Sequence, residues 1–175
     1  TGKKPLVALG CTKDAQDSIL QNQELSKLVD IIEIKYWHYH TKGIWAPPAG
    51  ANMAPRQFMR KMKVGKTGFE EAYRAVREYR DAYPQKSVVF FSQQYPEYGW
   101  AILFAGGSCP DIPVTDKKFL SDAVYMNPML STAAYKLLGC EDKGYMIYPL
   151  DDKNITVNTT PGNCQVYAIN VKTGK

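Results

Sequence analysis

Three times before Gly106 the chain runs from an apolar, strand-like stretch through a polar end into a helix, and this alternation constrains the fold more than any other feature. The first unit is Pro5 to Leu9, then Gly10-Cys11-Thr12-Lys13-Asp14 and a helix through Ala15, Ile19 and Leu20. A short helix around Glu24, Leu25 and Leu28 leads into the second strand at Val29. That strand is a Val/Ile-rich run of the kind found in parallel sheets. The third is Ser87-Val88-Val89-Phe90-Phe91, followed by Ser92-Gln93-Gln94-Tyr95 and a helix from Gly99 to Ala105. Strands alternating with helices predict an α/β fold built on a parallel sheet.

Between the second and third strands, Thr67-Gly68-Phe69-Glu70 reads as a capping box at a helix start. Phe69, Ala72, Tyr73, Val76, Tyr79 and Tyr83 then fall on one stripe at helical spacing, with Arg74, Arg77, Glu78 and Asp81 outside it, until Pro84. The stretch from Thr41 to Lys66 is rich in Pro and Gly and reads as a long functional loop. Past Pro113 the pattern changes. A short helix near Asp116 to Ala123 gives way to four short β runs, Tyr135–Leu138, Tyr145–Tyr148, Asn154–Val157 and Gln165–Asn170, separated by Asp, Gly and Pro turns. These read as antiparallel hairpins. The composition shift places a boundary near Met129 to Ala134, giving an α/β region over 1–130 and a small antiparallel β region over 131–175.

Hydrophobic residues make up 45% of the 175 and charged residues 22%, values of an ordinary globular chain. The net charge of +5 is spread along the sequence rather than massed in one block, which argues against nucleic acid as a partner. No apolar run approaches the roughly 20 residues of a membrane span. The start at Thr1-Gly2-Lys3-Lys4-Pro5 carries no signal-like segment, so a signal or a larger upstream portion is expected to precede it. Cys11, Cys109, Cys140 and Cys164 are widely spaced with no Cys-x-x-Cys pair, which disfavours structural zinc and leaves buried thiols or a disulfide.

The second strand ends in Tyr36-Trp37-His38-Tyr39-His40, which holds both histidines of the chain. Trp37, His38 and His40 fit a ligand-gripping strand end, with flat amphipathic rings for stacking and imidazoles for hydrogen bonding; a packed aromatic strand end is the alternative. A metal site on His38 and His40 would need a third ligand that the spacing does not supply, so no metal or other cofactor is expected. Glu33 and Lys35 share one strand face, opposite Ile32, Ile34 and Tyr36, as a structural ion pair or, for Glu33, a catalytic carboxylate. Lys13 and Asp14 follow the first strand and share its end, Asp14 equally suited to cap its helix. Trp45 and Arg56 in the long loop suit a lid over an acidic sugar, and Gln93, Gln94 and Tyr95 offer neutral donors and acceptors for hydroxyl recognition.

The order of Lys3 to Val7, Val29 to His40, Ala46 to Gln57 and Ala72 to Arg80 resembles uncharacterised glycoside-hydrolase-like proteins of bacterial polysaccharide degraders, whose barrels look like those of clan A glycosidases. Gly99 to Gly107 resembles the helix after their seventh barrel strand, and Tyr145 to Lys175 the small β domain that closes such enzymes. The resemblance implies the C-terminal half of a (β/α)8 TIM barrel, strands five to eight, followed by an antiparallel β appendage. It implies a secreted or periplasmic enzyme cleaving a polysaccharide or oligosaccharide, with the remainder of the barrel as partner and neither nucleic acid nor membrane involved. The acid/base would lie at the fourth strand end, outside this chain. The nucleophile would lie at the seventh strand end, where the sequence reads Ser92-Gln93-Gln94-Tyr95 and Glu97 is the nearby carboxylate. An amide cannot attack an anomeric carbon as a carboxylate does, which brings in an alternative, a non-catalytic glycan-binding protein on a degenerate barrel. A third reading is a complete small α/β domain binding a nucleotide or a protein partner; for the nucleotide it lacks a Gly-rich phosphate loop opening a helix.

Overall fold

The computed structural model describes residues 4–40, 43–45, 67–91, 96–152, 154–156 and 165–175. The chain divides into two compact units, Thr1–Asp111 and Ile112–Lys175. The composition shift near Met129 to Ala134 thus lies inside the second unit, because the last helix belongs with the hairpins that follow it.

The first unit is built on a parallel sheet of β1 (Ala8–Leu9), β2 (Ile31–Ile34) and β5 (Ser87–Phe90), in that spatial order. Between β1 and β2 lie α1 (Lys13–Gln21) and α2 (Gln23–Ser26), the latter capped by the Asn22 side chain, which accepts from the N–H groups of Glu24 and Leu25. A short antiparallel pair, β3 (His38–His40) and β4 (Gly43–Trp45), follows β2. Then come α3 (Phe69–Ala82), β5 and α4 (Pro96–Phe104). Among the described residues three parallel strands and no closed barrel are present.

Strand alternation and register sort the side chains of this sheet into two faces. Leu9, Ile32 and Val88 are in register and share one face, which continues through Ile34 and Phe90. Ile32, Ile34, Val88 and Phe90 are buried in one core with Leu20 of α1, Ala72, Ala75, Val76 and Tyr79 of α3, and Tyr98, Ala101 and Ile102 of α4. Every helix that enters this core therefore packs on the same side of the sheet. The opposite side carries Ile31, Glu33 and Val89, which remain half-buried.

The α3 stripe forms as the spacing predicts, with Ala72, Val76 and Tyr79 buried and Phe69, Tyr73 and Tyr83 packed around them. The capping box does not form in the expected frame. The N-cap is Gly68, and it is Glu71 whose carboxylate lies back over it, 3.0 Å from where a Cβ would stand. Thr67 is buried instead, its carbonyl accepting the Tyr98 hydroxyl of α4 at 2.9 Å. At the other end of the sheet the buried Lys86 ammonium donates to the carbonyls of Ser26 and Val29 at 2.6 and 2.7 Å, joining the start of β5 to the approach of β2.

The second unit holds α5 (Lys117–Ala123), capped by Asp116, and an antiparallel sheet ordered β6 (Asn127–Pro128), β7 (Tyr135–Cys140), β8 (Gly144–Pro149). The central strand β7 is the buried one, and Gly139 is needed there because a Cβ would meet Met129 Sδ at 2.3 Å and the Tyr145 ring at 2.8 Å. Two expected strands do not form. Residues 154–156 and Gln165–Asn170 take no ladder partner among the described residues, because alternation specifies a strand's faces but supplies no neighbour. Nor are all the thiols buried: Cys109 is exposed, while Cys11 and Cys140 are half-buried and unbridged.

Candidate functional site

The carboxyl ends of β1 and β2 carry two polar clusters, one on each side of the sheet. On the helix side, Gln16 of α1 donates from its amide to the carbonyls of Leu9 at 2.7 Å and Glu33 at 2.9 Å, bridging the two strand ends. Its carbonyl oxygen accepts the Trp37 indole N–H at 2.8 Å. Trp37 is fully buried, edge-on to Tyr39 and Tyr79 with ring centroids at 5.3 and 6.0 Å. Lys13 Nζ sits 5.2 Å from the Trp37 ring and donates to Asp17 and Glu78, both at 2.7 Å. Glu78 also accepts the Tyr39 hydroxyl, Asp17 accepts that of Tyr79 at 2.7 Å, and the Arg74 guanidinium stacks 4.2 Å over the Tyr39 ring.

These contacts account for the titration behaviour of the cluster. Burial pushes the Tyr39 hydroxyl up to about 12, helped by its hydrogen bond to Glu78. Burial and the bond to Asp17 likewise raise Tyr79 well above the usual phenol range. Burial opposes the Lys13 charge, but its bonds to Asp17 and Glu78 outweigh that and hold its pKa above the ordinary lysine value. Each of these groups is thereby held in its protonated form.

On the other side, Glu33 and Lys35 form an ion pair at 3.6 Å, with side chains 31% and 28% exposed. The Glu33 carboxylate extends across the neighbouring strand end at Gly10, where a Cβ would stand 2.6 Å from its Oε2. Lys35 Nζ lies 5.7 Å from the Tyr36 ring centroid and 5.8 Å from that of Phe91, the residue that follows β5. A carboxylate and an ammonium thus meet on the face that the described helices leave uncovered, with the Tyr36 and Phe91 rings near the ammonium and Phe91 also packed against the core.

Of the residues singled out from sequence, Trp37 and Lys13 come together on the helix side as part of the packed network, with no surface turned to a ligand. His38 is buried as well, and His40, half-buried, lies beside it with ring centroids 6.5 Å apart. In the β3–β4 ladder His38 is registered opposite Trp45. Asp14 is not the N-cap of α1. Thr12 occupies that position, and Asp14 lies in the first turn, where bonds from Thr12 and the Ala15 N–H hold its carboxyl below the ordinary range. Glu97 is exposed in the first turn of α4. Arg56, Gln93, Gln94 and Tyr95 lie outside the described residues.

Gln16, Asp17, Arg74 and Glu78 had no role in the sequence reading, although the four-residue spacing of Lys13 and Asp17 along a helix was a signal for that pair. Gly10, Tyr36 and Phe91 were likewise missed as neighbours of Glu33 and Lys35. Among the described residues no group of three or more His, Cys, Asp or Glu side chains assembles to hold a metal, and no helix is long and apolar enough to cross a membrane.

Residues 1–126 match the model of a family described as a domain of unknown function, DUF6298. The chain belongs to that family. The DUF6298 match takes in the whole parallel sheet and both polar clusters, and it ends just before β6. No curated protein and no solved structure matches the chain.

Proposed function

We propose that this DUF6298 chain is part of a carbohydrate-active enzyme, a glycoside hydrolase acting on a polysaccharide or oligosaccharide, in a secreted or periplasmic protein. One observation carries the reading: parallel strands in sequential order have helices on a single face, and the other face bears Glu33 near the carboxyl end of β2. Doubly wound sheets carry helices on both faces, whereas a (β/α)8 barrel keeps helices outside and lines its inside with strand residues, its reactive groups at the carboxyl ends. Glu33 and Lys35 then face the interior of a barrel whose remaining strands are the partner of this half.

Glu33 takes the role of catalytic carboxylate. Hydrolysis needs a second carboxyl about 5–5.5 Å away for retention or about 6.5–9.5 Å away for inversion. Glu33 is the one acid that the described strands of the parallel sheet direct to the open face, so its partner comes from a loop or from the rest of the barrel. The test is release of reducing sugar by the parent protein across a panel of polysaccharides. Glu33→Gln is expected to lower turnover by about 10²–10⁴-fold, the usual contribution of a catalytic acid or base, with folding intact. Turnover within a few-fold of wild type would remove Glu33 from the chemistry.

A second reading rests on the same solitary carboxylate, held to Lys35 as an ion pair: a glycan-binding protein on a degenerate barrel. It expects saturable glycan binding with no bond cleavage, in wild type and Glu33→Gln alike.

A further inference from the structure

Lys13 and Lys35 sit beside carboxylates at the strand ends of the first unit, and their surroundings differ in a way that bears on the substrate. Lys13 is almost wholly buried and donates to two carboxylates at 2.7 Å, so its hydrogen-bonding capacity is largely spent within the fold. Lys35 Nζ stands 3.6 Å from the Glu33 carboxylate, beyond the roughly 2.7–2.9 Å of a charge-assisted hydrogen bond. Glu33 therefore steers this ammonium electrostatically without occupying its three donors. The Tyr36 and Phe91 rings, at 5.7 and 5.8 Å, hold the cation by its charge and also leave the donors open.

A partly exposed ammonium near two aromatic rings, with a carboxylate alongside, matches the chemistry of one class of sugar. A pyranose lays its C–H face on an aromatic ring, its hydroxyls donate to a carboxylate, and a carboxylate on the sugar ring takes the ammonium. A neutral sugar would partly desolvate the Lys35 ammonium without offering it an anionic acceptor at hydrogen-bond distance. We propose that Lys35 is the anion-recognising residue of the open face and that the glycan it binds is acidic, carrying uronate carboxylates. The inference rests on the carbohydrate reading above and specifies its substrate class.

Calorimetric titration of the parent protein with three hexasaccharides tests it: an oligogalacturonate, cellohexaose, and a sulfated carrageenan fragment. The oligogalacturonate is expected to bind at least about tenfold more tightly than cellohexaose, a difference of about 1.4 kcal/mol. Lys35→Met should abolish that preference by weakening the acidic ligand alone, while Lys35→Arg should retain it. Rising salt should weaken the acidic ligand and leave cellohexaose unchanged, a readout on wild type that holds even if Lys35→Met fails to fold. Equal affinity for the acidic and neutral hexamers, acidic binding indifferent to Lys35→Met, or preference for the sulfated fragment would each overturn the proposal while leaving a carbohydrate function standing. Failure of all three sugars to bind would overturn the carbohydrate reading with it.

Discussion

The two faces of the parallel sheet place charged groups at the same strand ends to opposite effect. On the helix side Lys13, Asp17, Glu78, Gln16 and two tyrosines satisfy one another through hydrogen bonds, several at 2.7 Å, around a fully buried Trp37. On the open side Glu33 and Lys35 face each other at 3.6 Å with about a third of each side chain in solvent. The carboxylates of the two clusters are about equally exposed, Asp17 and Glu78 at 33% and 38% against 31% for Glu33, so the contrast lies in the pairing: closely matched polar groups rigidify a fold, whereas loosely paired ones keep capacity for a ligand. On the proposed function, the difference separates a scaffold from a site.

The sharpest way to break that comparison is Trp37→Ala. Removing a fully buried indole whose N–H is bonded to Gln16 is expected to cost about 3–5 kcal/mol in urea-induced unfolding of the full chain. A cost below about 1 kcal/mol would mean that Trp37 is not a structural anchor, and would return it to the candidates for ligand stacking.

Alkaline pH provides the next largest contrast, because the helix-side groups titrate abnormally. Tyr39 holds its proton up to about 12 when folded, and Tyr79 is raised as well, whereas unfolded tyrosines ionise near pH 10. Above about pH 10 the unfolded chain binds fewer protons than the folded one, so stability is complete below that pH and falls as pH climbs through 12. Lys13, also raised, contributes in the same direction. Urea midpoints measured from pH 8 to 12 should decline, and Tyr79→Phe should flatten the decline. An identical slope in Tyr79→Phe would show that this hydroxyl is not in the environment described.

The sequence made one of these faces more legible than the other. Alternation alone put Glu33 and Lys35 together opposite Ile32 and Ile34, because a strand's period of two fixes sidedness without knowledge of neighbours. The three β/α units and the α3 stripe were readable for the same reason. Trp37 was not, since an aromatic residue at a strand end looks alike whether it meets a sugar or the amide of Gln16 from α1. Glu78 fell outside the apolar stripe, yet that flank of α3 lies against Tyr39, a contact set by the path of β3. Nothing in the sequence singled out Lys86, because only the tertiary fold brings the carbonyls of Ser26 and Val29 within reach of its ammonium. Local period was visible in the residues; partners distant along the chain were not.

The smallest expected change in stability makes the finest test. Gly10 has a φ outside the left-handed region, so alanine suits its backbone, and the lost freedom of the unfolded chain favours the substitution by roughly 0.4–1 kcal/mol. The new Cβ would stand 2.6 Å from Glu33 Oε2, the far end of a flexible side chain that can swing away at little cost. Gly10→Ala should therefore melt within a few degrees of wild type while moving the carboxylate by about 1 Å, a misplacement that can lower turnover about 100-fold. Glycan affinity would change less, since Lys35 and its rings stay in place. A variant that unfolds as readily as Trp37→Ala would show that the open face is packed as tightly as the helix side. Unaltered turnover would show that the position of Glu33 over Gly10 does not matter to the chemistry. Stability kept and turnover lost is the one combination that assigns scaffold and site to opposite faces of the same strands.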